Sequence, residues 1–245
     1  LKSARELEIM REAGRIVAIA VRKAFDALER GITTSELDDI ARRAIESEGA
    51  KPSFLGLYGF PATACISINE EIVHGIPGDR VVQSGDLVTL DCGAIVDGYN
   101  SDYAVTQIAG PSTSEKDDLI NTTRASLEMG IKAARPGNRV GDISNAVESQ
   151  VLPKSYELVR EYVGHGIGKA LHEPPQIPNF GPPGHGQELR AGLVLAIEPM
   201  VNVGGWKTRM LDDGWTVVTE DGALSCHFEH TVAITEDGPV VLTVE

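Results

Sequence analysis

The chain has 245 residues, enough for one large domain or two small ones, and 42% hydrophobic with 24% charged residues is a globular composition that excludes disordered and collagen-like classes. Its net charge of −14 is uneven: residues 1–51 hold ten side chains of each sign, leaving 12 basic and 26 acidic ones to residues 52–245. So acidic a body repels phosphate backbones and anionic lipid, so neither nucleic acid nor a membrane is expected as main partner.

Leu7, Met10, Gly14, Val17, Val21, Ala24 and Leu28 recur at spacings of three and four, which predicts one face of a long helix. Ser3 and Glu6 make a capping-box pattern at its start. The small Gly14 and Ala24 suit packing on a sheet better than a coiled-coil seam. Arg15 and Arg22 bracket an apolar stretch far shorter than the ~18 residues of a membrane span. A second helix is predicted from Thr33, which repeats the pattern with Glu36, to about Glu48. Strands are predicted at Ala64–Ile68, 87–90, 94–96 and 104–108, apolar runs separated by Gly, Asn and Asp.

After Pro111, the residues Ser112-Thr113-Ser114-Glu115 read as another capping box, opening a helix that ends by Arg135-Pro136-Gly137. A fourth helix is predicted from about Gly141 to just before Pro153, and the remainder reads as short strands and Gly/Pro-rich turns. Helix pairs followed by strands, twice over, predict an α+β fold with the helices covering one face of a curved sheet. Cys65, Cys92 and Cys226 lack paired CxxC spacing, and the N-terminal stretch lacks the apolar core of a signal peptide. A reducing, cytoplasmic setting is expected.

The recurrence extends to single residues. Gly31 precedes Glu36 and Leu37 as Gly137 precedes Asp142 and Ile143. Gly85 leads through four apolar or Thr residues to Asp91 as Gly192 leads to Glu198, and Asp102-Tyr103-Ala104-Val105 resembles Glu229-His230-Thr231-Val232, an acid heading a strand in each case. His74 and His172 precede the respective acid pairs. A single domain spanning 1–245, duplicated internally as approximately 1–110 and 111–245, is expected, with a pseudo-twofold axis between Asp91/Asp102 and Glu198/Glu229.

A carboxylate delivered by an apolar strand is costly to bury unless it is paired or binds a cation. Four converging acids in a region short of Lys and Arg point to divalent metal. His165, in Gly164-His165-Gly166-Ile167-Gly168, has an imidazole that the flanking glycines leave accessible; a satisfied structural histidine is the alternative. His74 sits in a turn as a candidate either to contact substrate or to support a ligand from behind, His172 follows His165 across a loop or bend, and His185 reads as a solvated loop residue. His227 and His230 flank Glu229 and are expected to point away from it.

Asp91, Asp102, His165, Glu198 and Glu229, with the runs His74-Gly75-Ile76-Pro77, Glu198-Pro199-Met200 and Phe228-Glu229-His230-Thr231, resemble type I methionine aminopeptidases of the pita-bread fold over nearly the whole chain. The resemblance implies two divalent metal ions per chain (Mn, Fe, Co or Zn), with Asp91 on one, His165 and Glu198 on the other, and Asp102 and Glu229 bridging. Two such ions would activate a shared water as hydroxide against the first peptide bond, with Glu198 or a neighbouring acid as general base. His74 and His172 would contact the substrate and stabilise the oxyanion. The methionine pocket would be walled by Leu57, Phe60, Cys65 and Trp215, together with His74 and His172. The implied substrate is the N-terminal Met of nascent polypeptides with a small second residue, with transient ribosome contact and a monomeric state. An Xaa-Pro aminopeptidase or dipeptidase of the same fold is the alternative, opposed by the lack of room for its usual N-terminal domain. A non-catalytic pita-bread binding protein is a further one, opposed by the presence of all five ligands.

Overall fold

The computed structural model describes residues 1–29 and 31–245. Helices α1 (Ala4–Asp26) and α2 (Thr34–Ser47) come first, followed by β1 (Lys51–Pro52), β2 (Ala64–Ile68), β3 (Glu71–Val73), β4 (Leu87–Val96) and β5 (Tyr99–Ile108). A second helix pair, α3 (Ser114–Ala133) and α4 (Val140–Val151), leads to β6 (Glu157–Leu158), β7 (Gly164–Gly166), β8 (Glu173–Ile177), β9 (Val194–Ile197) and β10 (Met200–Asn202). The chain closes with β11 (Thr208–Met210), β12 (Val217–Thr219), β13 (Ser225–His227), β14 (Glu229–Thr235) and β15 (Gly238–Val241). No described helix is long and apolar enough to cross a membrane.

The helix starts follow from their caps. Ser3 and Thr33 each accept the backbone N–H three residues on, while Glu6 and Glu36 reach back to the cap N–H, which satisfies two of the orphan donors at each N-terminus. At α3 the cap is Thr113, one residue later than the expected Ser112, whose hydroxyl instead donates to Asp117. At α4, Asp142 accepts the N–H of Arg139 at 2.7 Å. The stripe predicted on α1 is buried from Met10 to Ala24, but Leu28 lies beyond the helix end. Gly14 makes a closer contact than sheet packing demands: a Cβ there would stand 2.2 Å from the carbonyl oxygen of Leu242, so only glycine admits the C-terminal segment.

The main sheet runs β1-β4-β5-β14-β9-β7-β8, with β2 also on β4 and β15 on β14, every pair antiparallel. Two smaller three-stranded sheets, β13-β10-β6 and β11-β12-β3, flank it. The strands expected at 87–90 and 94–96 are one ten-residue strand, β4, which passes without a break through Asp91-Cys92-Gly93. Asp102 is correspondingly inside β5, opposite Gly93, and not at a strand head. The β4–β5 hairpin closes on Asp97 (φ 46°) and Gly98 (φ 79°), the left-handed pair that a tight two-residue turn requires.

Each helix pair has its own core. Ile16, Val17, Leu37 and Ile45 of α1 and α2 pack with Ile66, Val88 and Leu90, whereas Leu119, Leu127, Ile143 and Val147 of α3 and α4 pack with Leu195, Ile197 and Val232. Each such side chain contributes roughly 1.5–3 kcal/mol on burial. The result is an α+β fold, a curled antiparallel sheet backed by helices, which holds the strands that carry the acids.

Candidate metal centre

Five neighbouring strands of the main sheet, β4-β5-β14-β9-β7, present one sequence-singled residue each: Asp91, Asp102, Glu229, Glu198 directly after β9, and His165. Asp91 and Glu229 are 138 positions apart in the sequence, yet antiparallel pairing places Glu229 opposite Ala104 and His165 opposite Ala196 and so brings the side chains to one spot. The ligand atoms of Asp102, His165 and Glu229 lie within 4.8 Å of one another. Nε2 of His165 stands 3.5 Å from Oε1 of Glu198 and 3.9 Å from Oδ2 of Asp102.

Local bonding explains the orientations. Thr231 accepts the N–H of Asp102 and donates to its carbonyl, both at 2.8 Å, which locks β5 to β14. Oδ1 of Asp102 accepts the Tyr103 N–H. His165 Nδ1 lies 2.8 Å from the carbonyl oxygen of Gly166, and a carbonyl can only accept, so Nδ1 carries the proton. The lone pair of Nε2 therefore faces carboxylate oxygens. Gly164 and Gly166 permit this packing, since a Cβ on either would stand 2.4 Å from a carbonyl oxygen of a neighbouring strand.

Burial pushes the carboxyls of Asp91, Glu198 and Glu229 well above the usual carboxylate range, and the negative charge of Asp102 adds to each. Asp102 is itself pushed up by burial, to about 7. Burial also lowers His165 to about 4, which keeps it neutral. Asp91 Oδ1 and Glu229 Oε1 are buried without a hydrogen-bond partner among the described residues, and no Lys or Arg among those residues pairs with any of the four acids. The buried carboxyls of Asp102 and Glu229, the half-buried ones of Asp91 and Glu198, a bare imidazole lone pair and orphaned oxygens are mutually repulsive as they stand. A hard divalent cation resolves every one of these conflicts, and the oxygen-rich donor set with one nitrogen fits Mn, Fe, Co or Zn.

Beside the acids opens a cavity of about 530 Å³ lined by Leu57, Phe60, Cys65, His74, His172 and Trp215, so all six expected pocket residues face it. Phe60 and Trp215 meet edge to face at 5.1 Å. Asp213 presents Trp215 by accepting the N–H groups of Trp215 and Thr216, both at 2.8 Å. Burial raises the Cys65 thiol, with Asp91 adding to the effect, so it stays a neutral wall. His74 adopts φ 60°, and Gly75 behind it leaves a Cβ only 2.2 Å from the Ile66 carbonyl, a close approach that turns the imidazole toward the cavity. His74 is lowered to about 4 by burial and then by His172, and His172 is lowered by burial. Despite the intervening bend, His172 meets the edge of His165 at 4.5 Å between ring centroids. His185 is exposed, as expected.

His227 corrects the sequence reading. Its Nε2 lies 3.8 Å from Oε2 of Glu198, inside the centre. It is two residues before Glu229, and a strand period of two puts such residues on one side; that signal was available, and only His230 faces away, bonded to Thr243 and stacked on Tyr103. Tyr58, stacked on His172, and Tyr162, edge-on to His74, are further cavity residues that carried no periodic or motif signal in the sequence.

Comparison with known proteins agrees with this geometry. The model of metallopeptidase family M24 matches residues 8–236. A methionine aminopeptidase of Bacillus subtilis is 50% identical over 242 residues, covering 99% of this chain and 98% of its own. The crystal structure of methionine aminopeptidase from Thermotoga maritima superposes with a TM-score of 0.98 at 43% identity, covering 100% of this chain and 98% of that one. A prolidase from Pyrococcus furiosus shares the fold with a TM-score of 0.81 at 25% identity, but this chain covers only 65% of it.

Proposed function

The chain belongs to metallopeptidase family M24, and from that membership we infer that it removes the N-terminal methionine from proteins and peptides whose second residue is small. It is a hydrolase that works with divalent metal. The observation that carries this reading is the adjacency of five metal-suited side chains on successive strands to a cavity of about 530 Å³ whose wall beside them includes Leu57, Phe60, Cys65 and Trp215.

The metal residues are proposed as Asp91, Asp102, His165, Glu198 and Glu229, holding two ions. Divalent metal, when bound there, supplies Lewis-acid polarisation of the scissile carbonyl and acidifies a water for attack near neutral pH. Glu198, 3.5 Å from His165, accepts the proton of the attacking water and passes it to the departing amine. His74 and His172, held neutral by burial, donate N–H groups to the oxygen of the tetrahedral intermediate. Leu57, Phe60, Cys65 and Trp215 exclude water around the methionine side chain and fix its depth.

We propose in addition that the chain is a single internally duplicated domain acting as a cytoplasmic monomer that meets nascent chains by transient ribosome contact. The Xaa-Pro reading is the weaker one, because the prolidase relative is both more distant and longer. Supplying Mn, Fe, Co or Zn to the protein with Met-Ala-Ser and, separately, Ala-Pro-Ala distinguishes them. Release of methionine from the first peptide alone is expected, cleavage of only the proline peptide would establish the Xaa-Pro activity, and cleavage of neither would favour a binding protein.

A further inference from the structure

We propose that His227 is a ligand of the metal centre, giving it a second imidazole nitrogen beside that of His165. The proposal rests on the metal reading above and extends its donor set. His227 ends β13 and is 1% exposed, and neither of its ring nitrogens has a hydrogen-bond partner among the described residues. Native interiors avoid such a residue, because a desolvated imidazole loses its water contacts and recovers nothing. The contrast with its neighbours is direct: His165 bonds the Gly166 carbonyl through Nδ1, and His230 bonds Thr243 through Nδ1.

Its surroundings name the missing partner. The ligand atoms of Glu198, His227 and Glu229 lie within 4.8 Å of one another, the same spacing as Asp102, His165 and Glu229. Glu198 sits between two imidazoles, Oε1 being 3.5 Å from His165 and Oε2 3.8 Å from His227. Both separations are too long for an N–H···O bond. They match donors that share an ion, since atoms each about 2.1 Å from one cation stand roughly 3–4 Å apart. Oε1 of Glu229, buried and unpartnered, completes the second group. A second imidazole also moves the centre's preference from Mn toward Fe, Co or Zn, which imidazole suits better.

Pulsed EPR on Mn(II)-loaded protein counts imidazole nitrogens coupled to the metal. Two imidazoles are expected in the unaltered protein, and one in either His165→Gln or His227→Gln, with Mn(II) uptake by His227→Gln weakened at least about tenfold. A single imidazole in the unaltered protein, lost in His165→Gln and retained in His227→Gln, overturns the proposal and leaves the metal reading intact. Failure of the unaltered protein to take up Mn(II), Fe(II), Co(II) or Zn(II) overturns both. A count of one in the unaltered protein overturns the proposal whether or not either variant folds, and a count of two is assigned to His227 by its fall to one in His227→Gln and its persistence in His172→Gln.

Discussion

Cys65 on β2 lies directly opposite Asp91 on β4, so the wall of the cavity and the first acid of the metal centre are one antiparallel residue pair. Their side chains share a sheet face, and depth of the pocket is therefore set within one strand spacing of the chemistry. Cys65→Leu adds bulk to the wall without touching a charge. It is expected to lower kcat/KM for Met-Ala-Ser by about ten- to a hundredfold, mainly through KM, with metal content unchanged; steady-state kinetics and metal analysis of the same preparation check both halves.

His172 touches the ring edge of His165 but stands outside the acid cluster. His172→Ala is expected to retain full metal while kcat falls by roughly 10²–10³, the loss typical of one oxyanion donor. Metal loss in this variant, measured on protein prepared without chelators, would instead make His172 a positioning residue for His165.

The metal-free protein should show a distinctive pH dependence of stability. Carboxyls held high in the fold, Asp102 at about 7 and Asp91, Glu198 and Glu229 well above the ordinary range, bind more protons folded than unfolded. They therefore stabilise below the unfolded carboxyl range and lose that contribution as pH rises through the folded values. Histidines held low, His74, His165 and His230 at about 4 and His227 at about 3, act oppositely, adding stability as pH rises toward their ordinary 6.5. The two sets offset each other at mildly acid pH, and above about 6.5 only the carboxyl slope remains. Melting of chelator-treated protein should thus fall from pH 6.5 to 8.5, and added Mn(II) should abolish that fall; a Tm that rises across this range without metal contradicts the assignment.

Gly166→Ala tests how the backbone holds His165. The added Cβ would sit 2.4 Å from the Pro174 carbonyl and 2.9 Å from that of Glu173, so β7 and β8 must separate. A loss of about 1–3 kcal/mol in stability is expected together with reduced metal uptake, read by thermal melting and metal titration. Wild-type uptake in this variant would show that His165 is placed by other contacts.

Much of the centre was legible because its signals are local: an apolar run ending in an acid, a histidine between glycines, Ser or Thr three residues before Glu. Asp102 was legible as a metal-site acid through the internal recurrence but misplaced at a strand head, because Asn100 and Ser101 look like turn residues, while in the fold β4 pairs along the whole of β5. Asn100 is instead buried and bonded to the carbonyls of Gly168 and Lys169. His227 was misdirected by counting it with His230 as a flank of Glu229, although the two lie at spacings of opposite parity. Tyr58 and Tyr162 reach the cavity through a left-handed turn and a loop, conformations with no periodic trace in the sequence.

The central claim is that these carboxyls form a metal centre that cleaves after an N-terminal methionine. Its most direct test is methionine release from Met-Ala-Ser by chelator-treated protein as Mn(II) is added, for the unaltered chain and for Glu229→Gln. The account predicts no release without metal, a rate that grows with Mn(II) and saturates by about two equivalents, and none at any Mn(II) level in Glu229→Gln. Full-rate release in excess chelator, or undiminished release by Glu229→Gln, would contradict it.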